Sequence, residues 1–212
     1  MKFFRIPGMA QVFLPQIIWR LRPVQSPCVC LTFDDGPHPH FTETILRILH
    51  ERNVPATFFI VGKYAMEYPS LVRAVHEQRH GIGLHSFDHQ RMCRQSAAYF
   101  RRQLLQNRDI VEQILGCPVK FFRPPYGIFR PGLIRVCQRM KLRMVLWSLF
   151  TYDYDLRVSD QALLHVIKSN VISRDIIVFH DGHSNSWRTA DILDSVISLL
   201  KDQNFEFLPL KE

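Results

Sequence analysis

The chain has no C-x-x-C pair, no internal repeat, no low-complexity tract and no long uninterrupted apolar run, and each absence removes a class of protein. Its five cysteines, Cys28, Cys30, Cys93, Cys117 and Cys137, are odd in number, which speaks with their spacing against a disulfide framework or a zinc knuckle. Cys28 and Cys30 instead alternate on one face of an expected strand, where a free thiol behaves as a small apolar side chain. After Lys2 and Arg5, the apolar pieces Gln11 to Leu14 and Ile17 to Trp19 are split by Pro15 and Gln16. A secretory core needs about 7–15 uninterrupted apolar residues and a membrane span about 20, so neither a signal peptide nor a spanning helix is expected. The default compartment is therefore cytoplasmic, with an extracytoplasmic one left open if the N terminus has been trimmed. No nucleic-acid motif accompanies the basic balance of 27 Lys and Arg against 19 Asp and Glu, formally +8. The clusters around Arg91 and Arg94, Arg101 and Arg102, and Arg139, Lys141 and Arg143 read as solvated helix faces, and no nucleic-acid partner is expected.

What is present suffices for a core. Hydrophobic residues make up 47% of 212 positions, with 16 Phe among them, and the length suits one α/β unit. The expected organisation is an N-terminal extension, 1–27, packing on or near a single domain, 28–212. A short amphipathic segment in that extension leaves peripheral membrane contact open.

From Cys28 onward, strand-length apolar runs alternate with longer stretches of helical period. Strands are expected over Val29–Phe33, Ala56–Val61, Gly81–His85, Lys120–Arg123, Met144–Leu149, Ile176–His180 and Phe205–Leu210. Helices are expected over Phe41–Arg52, Ser70–Arg79, Gln95–Leu115, Gly132–Met140, Asp160–Val171 and Thr189–Leu200. Ser70, Pro131, Ser159 and Thr189 serve as start signals, and Asn53 and Gly116 as stops. About seven strands, each followed by a helix, predict a closed or nearly closed parallel α/β barrel.

The polar groups of chemical interest fall at the ends of those runs, where parallel barrels build their sites. Asp34 and Asp35 follow the first strand and precede Gly36-Pro37; adjacent side chains point apart, so one carboxylate can hold a metal while the other takes a proton. Taken alone, the pair better describes an ordinary Asp-Gly turn. His85 and His89 put two imidazoles on one side of a helix or turn, which with a carboxylate makes a three-ligand set. Arg123, ahead of Pro124-Pro125, is placed to hold Asp34 ionised through a two-pronged contact, and the stiff extended backbone leaves the Tyr126 amide free as an oxyanion donor. His180 ends the run Ile176–Phe179, where it can protonate a leaving amine, and Asp153 is placed to raise its pKa. His38, His40 and His183 are expected on the surface.

Thr-Phe-Asp-Asp-Gly-Pro, His-Ser-x-x-His, Arg-Pro-Pro-Tyr-Gly and the late His180-Asp181, in that order, resemble the polysaccharide deacetylases of carbohydrate esterase family 4, the NodB-homology domain, over about Cys28 to Leu210. The resemblance implies a distorted (β/α)7 barrel and metal-dependent removal of acetyl groups from N-acetylated amino sugars, a hydrolysis of linear amide bonds. On this resemblance a metal-held water attacks with Asp34 as base. Asp35, His85 and His89 bind the metal, Arg123 orients the base, Tyr126 helps hold the oxyanion, Asp153 tunes His180, and His180 is the acid. Zinc suits two histidines and a carboxylate, and cobalt, nickel or iron fit the same set. The partner implied is an acetylated glycan such as peptidoglycan or a chitin-like polymer. The sequence leaves oligomeric state unread. Two departures bear on substrate: Phe150 stands where the family often has an acid, and Tyr154 where it has the groove tryptophan. An O-acetyl esterase, a non-sugar amidase, or an inactive carbohydrate-binding barrel on the same site therefore stay open.

Overall fold

The computed structural model describes residue 5 and residues 13–91 and 95–211. The expectations placed on Lys2, Gln11, Cys93 and Arg94 lie outside these residues. Seven parallel strands curl into a distorted (β/α)7 barrel in the order β5-β4-β3-β2-β1-β7-β6, and β8 adds to the start of β1. The central strand, β1 (Cys28–Asp34), is buried at every residue, as a strand covered on both faces must be. It pairs with β2 (Thr57–Ile60) on one side and β7 (Asp175–His180) on the other, and β3 (Gly81–Leu84), β4 (Phe121–Phe122) and β5 (Arg143–Met144) extend the β2 side. β6 (Leu149–Phe150) lies outside β7, and β8 (Glu206–Phe207) meets Cys28 and Val29.

The single strand expected over Met144–Leu149 is two. The chain changes partners within four residues: Val145 N–H donates to Phe122, Leu146 to Ile18, and Ser148 to Ile176. One apolar run therefore steps across the seam between the two sheet edges, with no helix between β5 and β6. Ile18 N–H in turn donates to Met144, so the N-terminal segment lines that seam. Ile17, Trp19 and Leu21 are buried there.

The helices α1 (Phe41–Glu51), α3 (Pro69–Glu77), α4 (Ala97–Leu115), α5 (Pro131–Arg139), α6 (Asp160–Asn170) and α7 (Ser186–Asp202) match the expected stretches to within a few residues, and a short α2 (Gly62–Glu67) was not foreseen. Ser159 caps α6 by accepting from Ala162 N–H, and Gly116 ends α4 at φ 70°, a left-handed position natural to glycine. Thr189 is not a start signal: α7 begins three residues earlier, and Thr189 is buried within it. Its hydroxyl serves the site instead.

Inside the barrel, Cys28, Cys30, Phe59, Phe121, Val145 and Ile176 form one apolar cluster, so the two cysteines do share an inward face. Burial pushes the Cys30 thiol up to about 12, which leaves it protonated and unreactive. The larger cluster, with Phe33, Phe58, Phe122 and Phe179 at its centre, fills the layer between strands and helices.

Candidate active site

The strand ends set the geometry. Asp34 and His180 are register partners on β1 and β7, and Leu84 and Phe122 are partners on β3 and β4, so His85 and Arg123 follow side by side. A cleft of about 660 Å³ opens over these ends, lined by Asp34, Asp35, His85, His89, Tyr126 and His180 among others. It is the C-terminal mouth of the barrel.

Asp35, His85 and His89 bring one carboxylate oxygen and two ring nitrogens within 4.8 Å of one another. His89 Nε2 lies 2.8 Å and His85 Nε2 3.3 Å from the same Asp35 oxygen. His85 Nδ1 sits 2.8 Å from the Arg123 carbonyl, which can only accept, so Nδ1 carries the hydrogen and Nε2 presents its lone pair. That is the tautomer a metal ligand needs, and the donor set fits a divalent transition metal. Burial alone would raise the Asp35 carboxyl, but the adjoining imidazoles of His85 and His89 and the nearby His180 hold it well below the usual carboxylate range. Asp35 is left-handed at φ 78°, and its backbone presses on Gly182: a Cβ there would lie 2.1 Å from the Asp35 carbonyl oxygen.

The two histidines sit on a turn rather than a helix, because Ser86 (φ 62°) and His89 (φ 57°) reverse the chain. Buried polar groups of α4 hold it. Asn107 Nδ2 donates to Ile60 O (2.9 Å) and Ser86 O (2.7 Å), and one turn earlier Gln103 Oε1 accepts from Phe87 and Asp88 N–H. Amides at an i, i+4 spacing on the inward face of an otherwise amphipathic helix are the signal in the sequence that marks this support.

Arg123 is fully buried, above the Phe59 ring at 4.0 Å. Its Nη1 donates to Asp34 Oδ1 at 2.6 Å and to Thr32 Oγ1 at 2.8 Å, and its Nη2 to Leu146 O. The contact with Asp34 uses one nitrogen, not the two expected, because the other is drawn to the seam. Burial lowers the guanidinium pKa, and the Asp34 charge opposes that.

Opposite stands His180, with Nδ1 2.8 Å from Asp153 Oδ1. Asp153 is wholly buried and is ringed by donors: His180 N–H and the Thr189 hydroxyl on Oδ2, the Thr151 hydroxyl on Oδ1. Burial alone would push the His180 ring down. The Asp153 carboxylate and its hydrogen bond, with the Asp35 and Asp34 charges, outweigh that and raise it to about 9. Asp153 is conversely lowered: burial raises it, but the His180 charge and the surrounding hydrogen bonds prevail.

Tyr126, in the tight turn after Pro125, is left-handed at φ 61° and half exposed, with its ring 4.8 Å from that of His89. Tyr154 stands edge-on to His180 at 5.0 Å. Cleft residues missed from the sequence include Trp147, stacked on Phe150 at 5.1 Å; Lys63; and His183, which faces Tyr154 at 5.5 Å instead of lying on the open surface.

A fold of this class with this mouth has relatives. The polysaccharide deacetylase family model matches residues 22–145, more than half of the chain. A chitooligosaccharide deacetylase of Azorhizobium caulinodans is 33% identical over 195 residues, spanning 86% of this chain and 92% of that one. Among solved structures, a peptidoglycan N-acetylglucosamine deacetylase in complex with 4-naphthalen-1-yl-N-oxidanyl-benzamide superposes with a TM-score of 0.88 at 29% identity, covering 97% of this chain and 95% of that one. A CE4 family pseudoenzyme from Bacillus anthracis superposes with a TM-score of 0.81 at 26% identity over 90% of this chain and 66% of its own. The chain belongs to the polysaccharide deacetylase family.

Proposed function

We propose that this protein is a metal-dependent hydrolase that removes N-acetyl groups from amino-sugar glycans of the peptidoglycan or chitooligosaccharide type. The observation that carries the reading is the pair of ion pairs across one cleft, Arg123 with Asp34 and Asp153 with His180, flanking the Asp35–His85–His89 group. The similarity to deacetylases acting on both glycan types supports the substrate class.

Asp35, His85 and His89 would hold the cation, zinc being the best match to two imidazoles and a carboxylate, with cobalt, nickel or iron as alternatives. When bound, such an ion supplies Lewis-acid polarisation and an acidified water. The chain's own residues do the rest. Asp34, held by Arg123 Nη1 at 2.6 Å, accepts the proton of the attacking water. The Tyr126 N–H is the candidate donor to the oxyanion that develops on the acetamide oxygen. His180, charged at neutral pH because Asp153 faces it, delivers its proton to the leaving nitrogen, and the amine departs. Tyr154 and Trp147 offer flat faces to a sugar ring.

Acetate release from chitooligosaccharides, peptidoglycan and acetylxylan by the metal-loaded protein tests this directly. Release from the first two and not from acetylxylan is expected; release from acetylxylan alone would make it an O-acetyl esterase. Binding of glycan without any acetate release would make it an inert carbohydrate-binding barrel, a reading that the replacements at Phe150 and Tyr154 favour and the intact acid and base pairs oppose.

A further inference from the structure

The sheet ends at β5 on one side and at β6 on the other, and the N-terminal segment crosses the gap between them. It makes three backbone bridges: Arg5 with Leu149 of β6, Ile18 with Val145 just past β5, and Arg20 with Asp175 at the start of β7. A buried carboxylate fastens it. Asp175 is fully buried; its Oδ1 takes Arg20 Nη2 at 2.8 Å and the Ser148 hydroxyl at 2.7 Å, and its Oδ2 takes Arg5 Nη2 at 2.6 Å and Ile172 N–H at 2.9 Å. Burial would raise the Asp175 carboxyl, but these donors hold it below its ordinary value. Stripping a partner from a buried charge is costly, so the two arginines tie the segment down. Arg5, Ile18 and Arg20 precede residues 22–145, the stretch matched by the family model, and that match assigns them no role.

From this fastening a short chain of contacts runs to the site. Two residues before Arg20, Ile18 O accepts Leu146 N–H at 2.8 Å, and Ile18 N–H donates to Met144 O at 2.9 Å. Leu146 is the residue whose carbonyl takes Arg123 Nη2 at 3.3 Å, while Arg123 Nη1 holds Asp34 Oδ1 at 2.6 Å. Arg123 Nε is buried with no partner among the described residues, so on the seam side the Leu146 carbonyl is what restrains the guanidinium by a hydrogen bond. A planar fork held at both ends keeps one direction; released at the seam, it pivots away from the geometry that serves Asp34.

We propose that the N-terminal segment positions the catalytic base: Arg20, latched on Asp175, holds Ile18 against Leu146, and Leu146 holds Arg123 in the orientation that presents it to Asp34. The inference rests on the reading of Asp34 as base given above. It makes Arg20 and Asp175 positioning residues, acting through Arg123 from outside the cleft.

The test uses the full chain, metal-loaded, with Arg20→Gln to open the latch, Arg20→Lys to keep its charge without the fork, and Arg22→Gln as the control at an exposed neighbour. Acetate release from a chitooligosaccharide should show kcat lowered by roughly tenfold in Arg20→Gln, with KM little changed, an intermediate loss in Arg20→Lys, and none in Arg22→Gln. In an Arg123→Lys background the fork is already gone, so Arg20→Gln should cost nothing further. Hydrogen exchange at the Leu146 amide, which needs no turnover, should quicken in Arg20→Gln while the amides of β1 keep their protection. If Arg20→Gln does not fold, Arg20→Lys carries the same comparisons. The proposal is overturned if the opened latch lowers the melting temperature yet leaves kcat at the parent value, if its loss adds in full to that of Arg123→Lys, or if Leu146 exchange does not change. A parent that releases no acetate from any glycan would defeat the deacetylase reading instead, and Leu146 exchange, with the nuclear magnetic resonance signals of the Arg123 guanidinium, would then decide the latch alone.

Discussion

Replacing Asp153 by Asn tests the acid half of the site quantitatively. The substitution keeps the shape of a group that is completely buried and removes only its charge. In the parent protein the His180 ring titrates at about 9, so at pH 8 about nine-tenths of the molecules carry the proton to be delivered. Without the carboxylate, burial is left as the dominant influence and pulls the ring to its ordinary value of about 6.5 or lower, where at most about 3% are protonated at pH 8. The expected loss of kcat/KM at pH 8 is therefore about thirtyfold or more, and the alkaline limb of the profile moves from near 9 to 6.5 or below. Acetate release from a chitooligosaccharide, followed from pH 5 to 10, reads both. Stability moves with it. A histidine raised on folding contributes stability that is complete below 6.5 and is lost as the pH climbs through about 9, so the parent should lose melting temperature over that window and Asp153→Asn should not. An alkaline limb that stays near 9 in the variant would refute the assignment of His180 as the acid tuned by Asp153.

Three further perturbations address other parts of the site. Gly182→Ala would place a methyl group 2.1 Å from the Asp35 carbonyl oxygen, against backbone that cannot rotate away; a loss of about 1–3 kcal/mol is expected by denaturant titration, with weakened metal retention on dialysis. Asn107→Ala strips the donor from the buried carbonyls of Ile60 and Ser86 and should destabilise by roughly 2–4 kcal/mol, while kcat falls because the His85–His89 turn loosens. Asp35→Ala should reduce bound metal to background by elemental analysis and abolish acetate release, with the fold retained by circular dichroism; a variant that still holds stoichiometric metal would contradict the ligand assignment.

How far the residues alone led can be judged element by element. The long periodic stretches gave α1, α4, α5 and α6 almost to the residue, since an apolar stripe of helical period has few other uses. The strands were visible as apolar runs, but two features depend on tertiary contacts that no local pattern carries. One is the change of partner between Met144 and Leu149, decided by where Ile18, Phe122 and Ile176 lie. The other is α2, whose six residues are too short for periodicity. At the site, residues with unusual chemistry at strand ends were legible, and the cleft gathers Asp34, Asp35, His85, His89, Tyr126, Tyr154 and His180. Supporting residues were not: Thr189 read as a helix cap because a threonine near a helix start usually is one, yet its hydroxyl lies 2.6 Å from Asp153. The one-pronged Arg123 contact was equally hidden, because it turns on the Leu146 carbonyl at the seam.

The substitution at Phe150 bears on the acid more than on the groove. A second carboxylate at that position would add negative charge near His180, whose ring centroid is 6.2 Å from the Phe150 ring, and would share with Asp153 the task of keeping the imidazole charged. With phenylalanine there, the position instead stacks on Trp147 at 5.1 Å and meets Tyr152 edge-on at 4.4 Å, which makes the wall beside His180 apolar and aromatic. Such a wall excludes water and deepens the burial that disfavours a charged ring. The elevation of His180 then rests chiefly on Asp153, and Asp153 rests on Thr151 and Thr189. With phenylalanine at this position the charge on His180 thus depends chiefly on Asp153, with Asp35 and Asp34 in lesser parts.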